Sequence, residues 1–578
     1  MKGSKILLES LLKEDVDTIF GYPGGSVIPI LDEFYNTNKI KFLLTRHEQG
    51  AAHAADGYAR VTQKVGVCIV TSGPGATNTI TGIANAKLDS IPIVVISGQV
   101  PSGNLGTDAF QETDMVGLTR SISKHNYLIK EAKDIPKIIN EAFYIAKSGR
   151  PGPVTVDIPV DLMMQEVKKV VYPTKTKLLG YNPNIKGNPK QIDKLVNAIG
   201  KSKKPLLYIG GGVIISKAEK ELQELMKKTN IPTVSTMMGL GSIPYNSVNY
   251  LGMPGMHGVV SANLAISECD LLIAVGVRFD DRITGSRDTF ARDAEVAHID
   301  IDPAEIGKNI FADIPIVGDA KNILKELNSK LTSRKKDDWN KKTNNWKKEN
   351  PLKYDQKNSK GILPQFVIDK VNEFASADTI IATDVGQHQM WSAQFYHHKK
   401  PNRYLTSGGL GTMGYGLPAA MGAAYGFPKK EVILFTGDGS IQMNIQELAT
   451  LALNKINVKI IILNNSFLGM VRQWQDLFWD KNYSATCLRR NSECKAQCKG
   501  PENDDDCPNL YLPDFVKVAE ANGVKGLRTD KVKDVGKILK EGLEYDGPVL
   551  MEFLVEKEEN VYPMVPAGKM NNEILFGD

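Results

Sequence analysis

Short runs of apolar residues alternate with longer amphipathic stretches along almost the whole chain. Near-continuous runs of Val, Ile and Leu lie at 65–70, 91–96, 205–209, 271–275, 432–435 and 458–463. Such runs are typical of parallel strands that helices cover on both faces. Several runs end directly in glycine-rich turns, and open α/β sheets bind ligands beyond the carboxyl ends of their strands. The pattern therefore predicts an α/β fold of doubly wound parallel sheets, with binding sites at those turns.

Two polar stretches interrupt this alternation and predict domain boundaries. Residues 165–190 contain Lys and Pro with little periodicity, and residues 330–362 are rich in Lys, Asp and Asn. Cutting the chain at these stretches leaves three α/β domains of ordinary size, at residues 1–165, 190–330 and 362–560.

The chain has 578 residues and a formal net charge of +5, the small difference between 71 basic and 66 acidic residues. Because the lysines form no long basic block, the charge pattern does not predict nucleic-acid binding. No apolar run approaches the ~18–20 residues that span a bilayer. The N-terminal apolar stretch is short and is interrupted by Glu9 and Ser10, unlike that of a signal peptide. We therefore expect a cytoplasmic protein that binds neither nucleic acid nor a membrane.

The turn at 435–440 offers ligands for a phosphate group and a divalent cation. Its chemically informative residues are Gly437, Asp438, Gly439 and Ser440. Glycines let the backbone approach phosphate closely, and Asp438 offers a hard oxygen ligand. A lone Gly-Asp-Gly is usually only a turn, but the next apolar run ends in Asn464 and Asn465, which would bring Asn465 to the neighbouring strand end. Protein oxygens that share a cation with phosphate oxygens are typical of Mg²⁺ sites.

This Gly-Asp-Gly to Asn-Asn arrangement resembles the signature of thiamine diphosphate enzymes. The resemblance implies that Asp438, Asn465 and the backbone carbonyl of Phe467 bind Mg²⁺. It also implies that Gly437, Gly439 and Ser440 contact the diphosphate.

A segment of the first domain, 46–60, resembles the helix that carries the activating glutamate of acetohydroxyacid synthases and their relatives. Glu48 alone would be an ordinary acidic residue at a helix start. It lies, however, between glycine-rich turns at 20–25 and 71–78. In that family the glutamate hydrogen-bonds N1′ of the aminopyrimidine and favours the imino tautomer, which removes the C2 proton of the cofactor.

The resemblance to catalytic subunits of the acetohydroxyacid synthase family extends along essentially the whole chain. It implies a pyrimidine-binding domain at 1–165, an FAD-type domain at 190–330 and a diphosphate- and Mg²⁺-binding domain at 362–560. It implies decarboxylation of pyruvate and transfer of the acetaldehyde unit to a second 2-ketoacid, pyruvate or 2-ketobutyrate, in branched-chain amino-acid biosynthesis. The pyrimidine and the diphosphate would bind to different subunits of a homodimer or tetramer, and a separate small regulatory subunit would control it.

Further site residues follow from the same resemblance. Gly25, Phe110 and Gln111 would line the substrate pocket with Glu48, and Asp281 and Trp474 would contact the second ketoacid. A tryptophan at this position is associated in the family with a preference for 2-ketobutyrate. The cofactor residues in the third domain would be Gln387, His388, Gly411, Met413 and Met470. Met413 would lie beneath the bent cofactor, although a methionine is also a common core filler.

The middle domain resembles an FAD-binding domain through several short motifs. The implied contacts are Gly210, Gly211, Gly212, Met256, His257, Gly276, Arg278, Arg282, Asp300, Ile301 and Asp319, with Arg150 from the first domain. Arg278 and Arg282 taken singly could instead form surface ion pairs. Because the reaction has no net redox step, the flavin would be structural or ancestral.

Two features depart from the family pattern. Val160 replaces a lysine that is usual near the substrate entrance. An insert of about twenty residues at 487–507 contains Cys487, Cys494, Cys498 and Cys507. Zinc bound by four cysteines, an iron–sulfur cluster, labile disulfides and free thiols are all open interpretations, since the spacing is not that of a standard zinc ribbon.

Other functions remain as alternatives. A catabolic acetolactate synthase, a pyruvate oxidase and a sulfoacetaldehyde acetyltransferase would use the same cofactor, but the segments 278–282 and 473–475 favour the biosynthetic synthase. A non-catalytic binding module is a different class of alternative. The intact Glu48, Asp438 and Asn465 argue against it.

Overall fold

The computed structural model describes residues 1–578 except 177, 336, 491, 493, 495–512 and 578. Within the described residues, the strands form three six-stranded sheets in which every strand pair is parallel. The predicted α/β fold of three parallel-sheet domains is confirmed. The bounds of the three domains remain a prediction.

The first sheet has the strand order β2-β1-β3-β4-β6-β5, and the third has the corresponding order β14-β13-β15-β16-β18-β17. The middle sheet has the order β12-β11-β10-β7-β8-β9. The strands of the first sheet are β1 (Thr18–Tyr22), β2 (Lys41–Leu44), β3 (Gly66–Val70), β4 (Ile93–Gln99), β5 (His125–Leu128) and β6 (Val154–Pro159). Those of the middle sheet are β7 (Pro205–Ile209), β8 (Thr233–Ser235), β9 (Tyr250–Gly252), β10 (Leu271–Val275), β11 (Glu295–Asp300) and β12 (Ile314–Val317). Those of the third sheet are β13 (Ile380–Thr383), β14 (Tyr404–Leu405), β15 (Val432–Gly437), β16 (Val458–Asn464), β17 (Lys525–Thr529) and β18 (Val549–Leu554).

Helices cover both faces of each sheet. Around the first sheet lie α1 (Gly3–Lys13), α2 (Ile28–Tyr35), α3 (Glu48–Thr62), α4 (Pro74–Thr77), α5 (Ile80–Asp89), α6 (Met115–Thr119), α7 (Ile135–Lys147) and α8 (Val160–Met164). Around the middle sheet lie α9 (Pro189–Lys201), α10 (Gly211–Ile215), α11 (Glu219–Thr229), α12 (Val260–Glu268), α13 (Asp281–Thr284), α14 (Ala320–Lys330) and α15 (Asp338–Glu349). Around the third sheet lie α16 (Pro364–Val371), α17 (Gln387–Phe395), α18 (Gly416–Gly426), α19 (Asp438–Ile441), α20 (Glu447–Leu453), α21 (Gly469–Phe478), α22 (Phe515–Ala521) and α23 (Val535–Glu544).

The polar stretch at 330–362 contains a helix in addition to connecting segments. Helix α15 begins with a capping box in which Asp337 and Asn340 exchange side-chain to backbone hydrogen bonds. Its Trp339 is buried and donates its indole N–H to the carbonyl of Pro205 at 3.0 Å. The buried ring of Trp339 therefore anchors this strongly polar segment at the start of β7 in the middle sheet.

The first and third domains share an apolar core at the crossing of α3 and α18. A Cβ added at Gly57 would collide with the carbonyl of Ala419, and one at Gly422 would collide with that of Ala54. These glycines let the two helix backbones touch. The contact places the start of α3, at Glu48, and the loop before α18 on the same side of the interface. In the part of the chain that is described, no helix is long and apolar enough to cross a bilayer.

Candidate cofactor and active site

The ends of β15 and β16 carry the residues predicted to bind the metal. The two strands pair in register up to their last residues, so Asp438 and Asn465 leave the sheet at the same edge. Asp438 is buried, and burial raises the pKa of its carboxyl group to about 7, although the backbone N–H groups of Gly439 and Ser466 favour the carboxylate. A cation beside this carboxylate would stabilise its charged form. The residues present therefore fit a divalent cation.

Neighbouring groups fix the side chain of Asn465. Its Oδ1 accepts the backbone N–H of Phe467 at 3.0 Å, and its Nδ2 donates to Oε1 of Gln387 at 3.4 Å. No three His, Cys, Asp or Glu side chains among the described residues form a metal cluster. The predicted Mg²⁺ ligands are one carboxylate, one amide oxygen and one carbonyl oxygen, which do not form a cluster of that kind, so Mg²⁺ stays a prediction.

Helix α17 begins at this edge of the sheet with Gln387 and His388. Burial lowers the pKa of His388 to about 3, so its ring is neutral. Its Nε2 atom is buried and has no hydrogen-bond partner among the described residues. A Cβ added at Gly437 would lie 3.1 Å from Nδ1 of His388, which places the ring beside the Gly-Asp-Gly turn. An unpartnered buried ring nitrogen at a glycine turn fits a phosphate oxygen as its partner.

The loop between β14 and α18 carries Gly411 and Met413, which are predicted to hold the aminopyrimidine. Gly411 has a φ of 71°, a conformation that favours glycine. The carboxylate of Asp384 accepts the backbone N–H groups of Gly414 and Gly416 at 2.8 and 3.0 Å and fixes the end of the loop. Burial raises the pKa of Asp384 to about 6. Met413 lines the same cavity as the Gly-Asp-Gly turn.

A connected cavity of about 970 Å³ runs from the middle sheet to the third sheet. It is lined by all the residues that we predict to contact the diphosphate, the metal or a flavin, and by both residues of the predicted second-ketoacid pocket. From the third domain these are Gln387, His388, Gly411, Met413, Gly437, Asp438, Gly439, Ser440, Asn465, Phe467, Met470 and Trp474. From the rest of the chain they are Arg150, Gly210, Gly211, Gly212, Met256, His257, Gly276, Arg278, Asp281, Arg282, Asp300, Ile301 and Asp319.

The turns after β7 and β10 form the part of the cavity that is predicted to hold FAD. Gly212 donates its backbone N–H to the carbonyl of Gly276 at 3.1 Å, and a Cβ added at Gly212 would lie 2.6 Å from Cα of Gly276. Two strand-to-helix turns on adjacent strands are the usual setting for a dinucleotide. Arg150 of the first domain lines the same space and pairs with Glu305 at 2.7 Å and Asp302 at 3.3 Å.

Among the described residues, Arg278 and Arg282 form only long ion pairs. Their distances to Asp280 and Asp281 are 3.7 and 4.0 Å, beyond the range of a strong charge-assisted hydrogen bond. The guanidinium of Arg282 lies 5.5 Å from the ring centroid of Trp474. Ion pairs of this length do not fix the positions of the two arginine side chains. Both side chains line the cavity, which agrees with the predicted role in binding a cofactor.

The first-domain residues predicted for catalysis gather around the turn after β3. Oε2 of Glu48 accepts a hydrogen bond from Nδ2 of Asn78 at 3.0 Å. A Cβ added at Gly75 would lie 3.3 Å from Oε1 of Glu48, and one at Gly73 would lie 2.9 Å from Cα of Gln111. Glu48 and Gln111 therefore flank one glycine-rich turn.

This second group of predicted residues does not line the cavity. Glu48, Gly25, Phe110 and Gln111 are all absent from its lining. Gly25 is exposed, and a Cβ added there would meet nothing within 4 Å. Phe110 is 90% exposed. One chain thus holds two separate groups of predicted site residues.

Sequence reasoning identified neither the side chain that orients Glu48 nor the carboxylates that link the first and third domains. Asn78 ends the glycine-rich segment 71–78, so its position was a usable signal. Glu447 accepts the backbone N–H groups of the two residues before Glu48, and Asp89 accepts two backbone N–H groups of the loop that carries Met413. No sequence pattern indicates these contacts, because their partners lie more than 300 residues away.

The cysteine insert is only partly described. Cys487 and Cys494 are partly buried, and Cys487 forms an isolated bridge with the backbone of Phe467. Cys498 and Cys507 lie outside the described residues, so the metal, disulfide and free-thiol interpretations remain open. Val160 begins α8 and is partly exposed.

Comparisons with known proteins found similarity along nearly the whole chain. Residues 1–118, 192–327 and 384–553 match the N-terminal, central and C-terminal domain models of thiamine pyrophosphate enzymes, the outer two described as TPP binding domains. The chain is 47% identical over 581 residues to the acetolactate synthase of Mycobacterium bovis, which covers 99% of this chain and 91% of the relative. It is 47% identical to the acetolactate synthase large subunit of Corynebacterium glutamicum, with 100% and 90% covered. It is 45% identical to that of Cyanidium caldarium, with 99% and 96% covered.

Proposed function

The chain belongs to the thiamine pyrophosphate enzyme family, and we propose that it is the catalytic subunit of an acetolactate synthase. It decarboxylates pyruvate and transfers the two-carbon acetaldehyde unit to a second 2-ketoacid. The observation that carries the proposal is the cavity in which Asp438, Asn465 and His388 meet Trp474 and Arg282. A diphosphate and metal site and a ketoacid pocket are therefore continuous.

The third domain holds the cofactor and the cation. Asp438, Asn465 and the carbonyl of Phe467 would hold Mg²⁺, and Nε2 of His388 would donate to the diphosphate. Met413 and Gly411 support the aminopyrimidine. When bound, thiamine diphosphate supplies the nucleophilic carbon that adds to the keto group of pyruvate and lets its carboxylate leave as carbon dioxide.

The first domain supplies the proton chemistry. Glu48 holds and moves a proton at N1′ of the aminopyrimidine, and Asn78 fixes the orientation of its carboxylate. Because Glu48 lies outside the cavity of its own chain, a second copy completes each site. The active unit is therefore a homodimer, or a tetramer of two such dimers. We place this enzyme in the cytoplasm, where a separate small subunit regulates it.

The ketoacid pocket is formed by Trp474, Arg282 and Asp281 on the cavity side. The indole of Trp474 provides an apolar wall for the extra methyl group of 2-ketobutyrate, while Arg282 attracts a ketoacid carboxylate. Phe110 and Gln111 border the pocket from the first domain of the partner. FAD binds where the turns after β7 and β10 touch and stays redox-inactive in the main reaction.

A two-substrate product assay on protein loaded with thiamine diphosphate, Mg²⁺ and FAD tests the proposal. We expect 2-acetolactate from pyruvate alone and 2-aceto-2-hydroxybutyrate when 2-ketobutyrate is added. Acetyl phosphate with hydrogen peroxide would instead identify a pyruvate oxidase. No turnover of any 2-ketoacid would favour a non-catalytic module.

A further inference from the structure

A buried carboxylate of the first domain holds the start of the cofactor loop of the same chain. Asp89, at the end of α5, accepts the backbone N–H of Gly409 at Oδ1 (2.7 Å) and that of Gly408 at Oδ2 (3.1 Å). Its Oδ2 also accepts Nη2 of Arg60 at 2.8 Å, and neither charged side chain is more than 7% exposed. Three donors therefore satisfy a carboxylate that is removed from water.

This loop would be mobile without such contacts. Residues 407–415 contain four glycines, which lose the most conformational freedom when they are ordered. Ser407 donates its hydroxyl to Oδ1 of Asn85, also on α5, at 2.5 Å. The start of the loop is thus fixed by α5 of the first domain, whereas its end is fixed by Asp384 of the third domain.

A second buried carboxylate makes the reciprocal contact. Glu447, at the start of α20 in the third domain, accepts the backbone N–H groups of Arg46 and His47 at the same Oε1 atom, at 2.9 and 3.1 Å. His47 is the N-cap of α3, and its Nδ1 accepts the backbone N–H of Gln49 at 3.1 Å. The two amides lie directly before Glu48, so Glu447 fixes the residue that starts the helix.

We infer that Asp89 and Glu447 are positioning residues, which hold the two halves of the catalytic machinery from opposite sides of one interface. Asp89 preorganises the loop that carries Gly411 and Met413 and so governs cofactor affinity. Glu447 fixes the start of α3 and so governs proton transfer by Glu48. This inference rests on the proposed use of thiamine diphosphate by this chain.

We expect the two positions to respond differently to substitution of the carboxylate by its amide. In Asp89→Asn one carboxylate oxygen becomes an NH₂ group. This group must face either the amide of Gly409 or the donors at Oδ2, and because two donors cannot bond each other, hydrogen bonds to the loop are lost. In Glu447→Gln the remaining oxygen can still accept both amides with its two lone pairs. Glu447→Ala removes the acceptor altogether.

The test measures two properties of each variant dimer in saturating Mg²⁺. One is the dissociation constant of thiamine diphosphate, and the other is the rate of C2 proton exchange in the bound cofactor. We expect Asp89→Asn and Asp89→Ala to raise the dissociation constant ~10- to 100-fold and to change the exchange rate at saturation by less than about 3-fold. We expect Glu447→Ala to lower the exchange rate ~10- to 100-fold at nearly unchanged affinity, and Glu447→Gln to restore most of that rate.

Each variant is the matched control of the other, because both remove a buried acceptor of two consecutive amides at the same interface. Equal changes of affinity and exchange rate in both variants would indicate general loosening and would overturn the inference. Acetolactate formation by the wild-type enzyme is measured alongside. Its absence, with cofactor binding intact, would refute the proposed reaction but leave the positioning roles in place.

Amide hydrogen exchange of the cofactor-free wild-type protein covers the case in which a variant does not fold. If Asp89 preorganises the loop, peptides that contain Gly408 and Gly409 will be protected before thiamine diphosphate is added. Exchange of those amides at the rate of an unstructured chain would overturn the role of Asp89.

Discussion

The first and third sheets have the same strand order, yet they present their site residues differently. In the third domain the predicted residues line the cavity at the ends of β15 and β16. In the first domain Glu48 lies outside that cavity, and Phe110 is 90% exposed. One architecture thus supplies a closed half, whose predicted residues line the cavity, and an open half, whose predicted residues lie outside it. The difference supports our proposal that a complete site is built from two copies of the chain.

The largest expected effect comes from removing the acid of the open half. Glu48→Gln keeps the size of the side chain but cannot exchange a proton, so we expect kcat to fall ~10²- to 10⁴-fold. The dissociation constant of thiamine diphosphate should change little, because the closed half is intact. Steady-state kinetics and a binding titration check both points. Glu33→Gln, another first-domain carboxylate that accepts from Ser4, is the control and should be fully active.

Mixing two inactive chains tests the separation of the halves directly. A heterodimer of Glu48→Gln and Asp438→Asn chains contains one site in which both halves are native. Random mixing in equal amounts should therefore restore about a quarter of the wild-type activity. If each chain used its own Glu48 and its own Asp438, no activity would return. That result would contradict the proposal that each site combines the open half of one chain with the closed half of the other.

A smaller effect is expected in the closed half, at the ketoacid pocket. Trp474→Leu removes the flat wall beside Arg282, so the preference for 2-ketobutyrate over pyruvate should fall ~10- to 100-fold. The ratio of the two products at equal substrate concentrations measures this change. Phe478→Leu, on the same helix α21 but 45% exposed, is the control. An unchanged product ratio in Trp474→Leu would show that Trp474 does not form part of the ketoacid pocket.

Much of the fold was predictable because each buried strand is a near-continuous apolar run. The six runs named from the sequence correspond to β3, β4, β7, β10, β15 and β16, and all are buried. Helix α15 was not predicted, because its composition is strongly polar and its packing depends on a few tertiary contacts, among them those of the buried Trp339 and the partly buried Trp346. Local periodicity does not encode such a tertiary contact.

The candidate site was predictable where its residues are close in sequence. Asp438 and Asn465 are joined by one strand, helix and strand unit, so their approach follows from the chain itself. The separation of Glu48 from that cavity followed only from family resemblance. Asp89 and Glu447 escaped prediction because a carboxylate that accepts backbone N–H groups needs no particular residue as its partner.

Equivalent strands of the two domains also carry different buried carboxylates. Asp157 on β6 is hydrogen-bonded to Ser97, and burial raises the pKa of its carboxyl group to about 7. Burial raises the pKa of Glu552 on β18 as well, but Glu552 pairs with Nε of Arg528 at 2.7 Å and accepts from Asn464 at 2.7 Å, and both partners favour its charged form. The first domain therefore holds its acid without a cation, whereas the third domain neutralises its acid with one.

This contrast predicts a pH dependence of stability. Asp157 keeps its proton to about pH 7 when folded but loses it near pH 4 when unfolded, so the folded state binds more protons in that window. The contribution of Asp157 to the free energy of unfolding therefore falls as pH rises from about 4 to 7. Because asparagine does not ionise, the Asp157→Asn variant does not lose this free energy of unfolding as pH rises. It should be more stable than the wild type by roughly 1–4 kcal/mol at pH 8, with little difference at pH 4.

Chemical denaturation of both proteins at pH 4 and pH 8 measures the difference. Glu552→Gln provides the comparison in the third domain, because it removes a partner of Arg528 and should destabilise the protein at pH 8. Stabilisation of both variants, or of neither, at pH 8 would show that the two carboxylates do not differ in the way their partners indicate.

The smallest expected effect lies at Val160, where the open half has an apolar residue at the start of α8. Val160→Lys would add a cation near the substrate entrance and attract the pyruvate carboxylate, so KM for pyruvate should fall ~2- to 5-fold at constant kcat. Val171→Lys adds the same charge at a residue that is 67% exposed in the 165–190 stretch, and it should leave KM unchanged. The effect should also shrink as salt is raised, because screening weakens a surface charge. An unchanged or higher KM in Val160→Lys would show that this part of the open half does not face the incoming ketoacid.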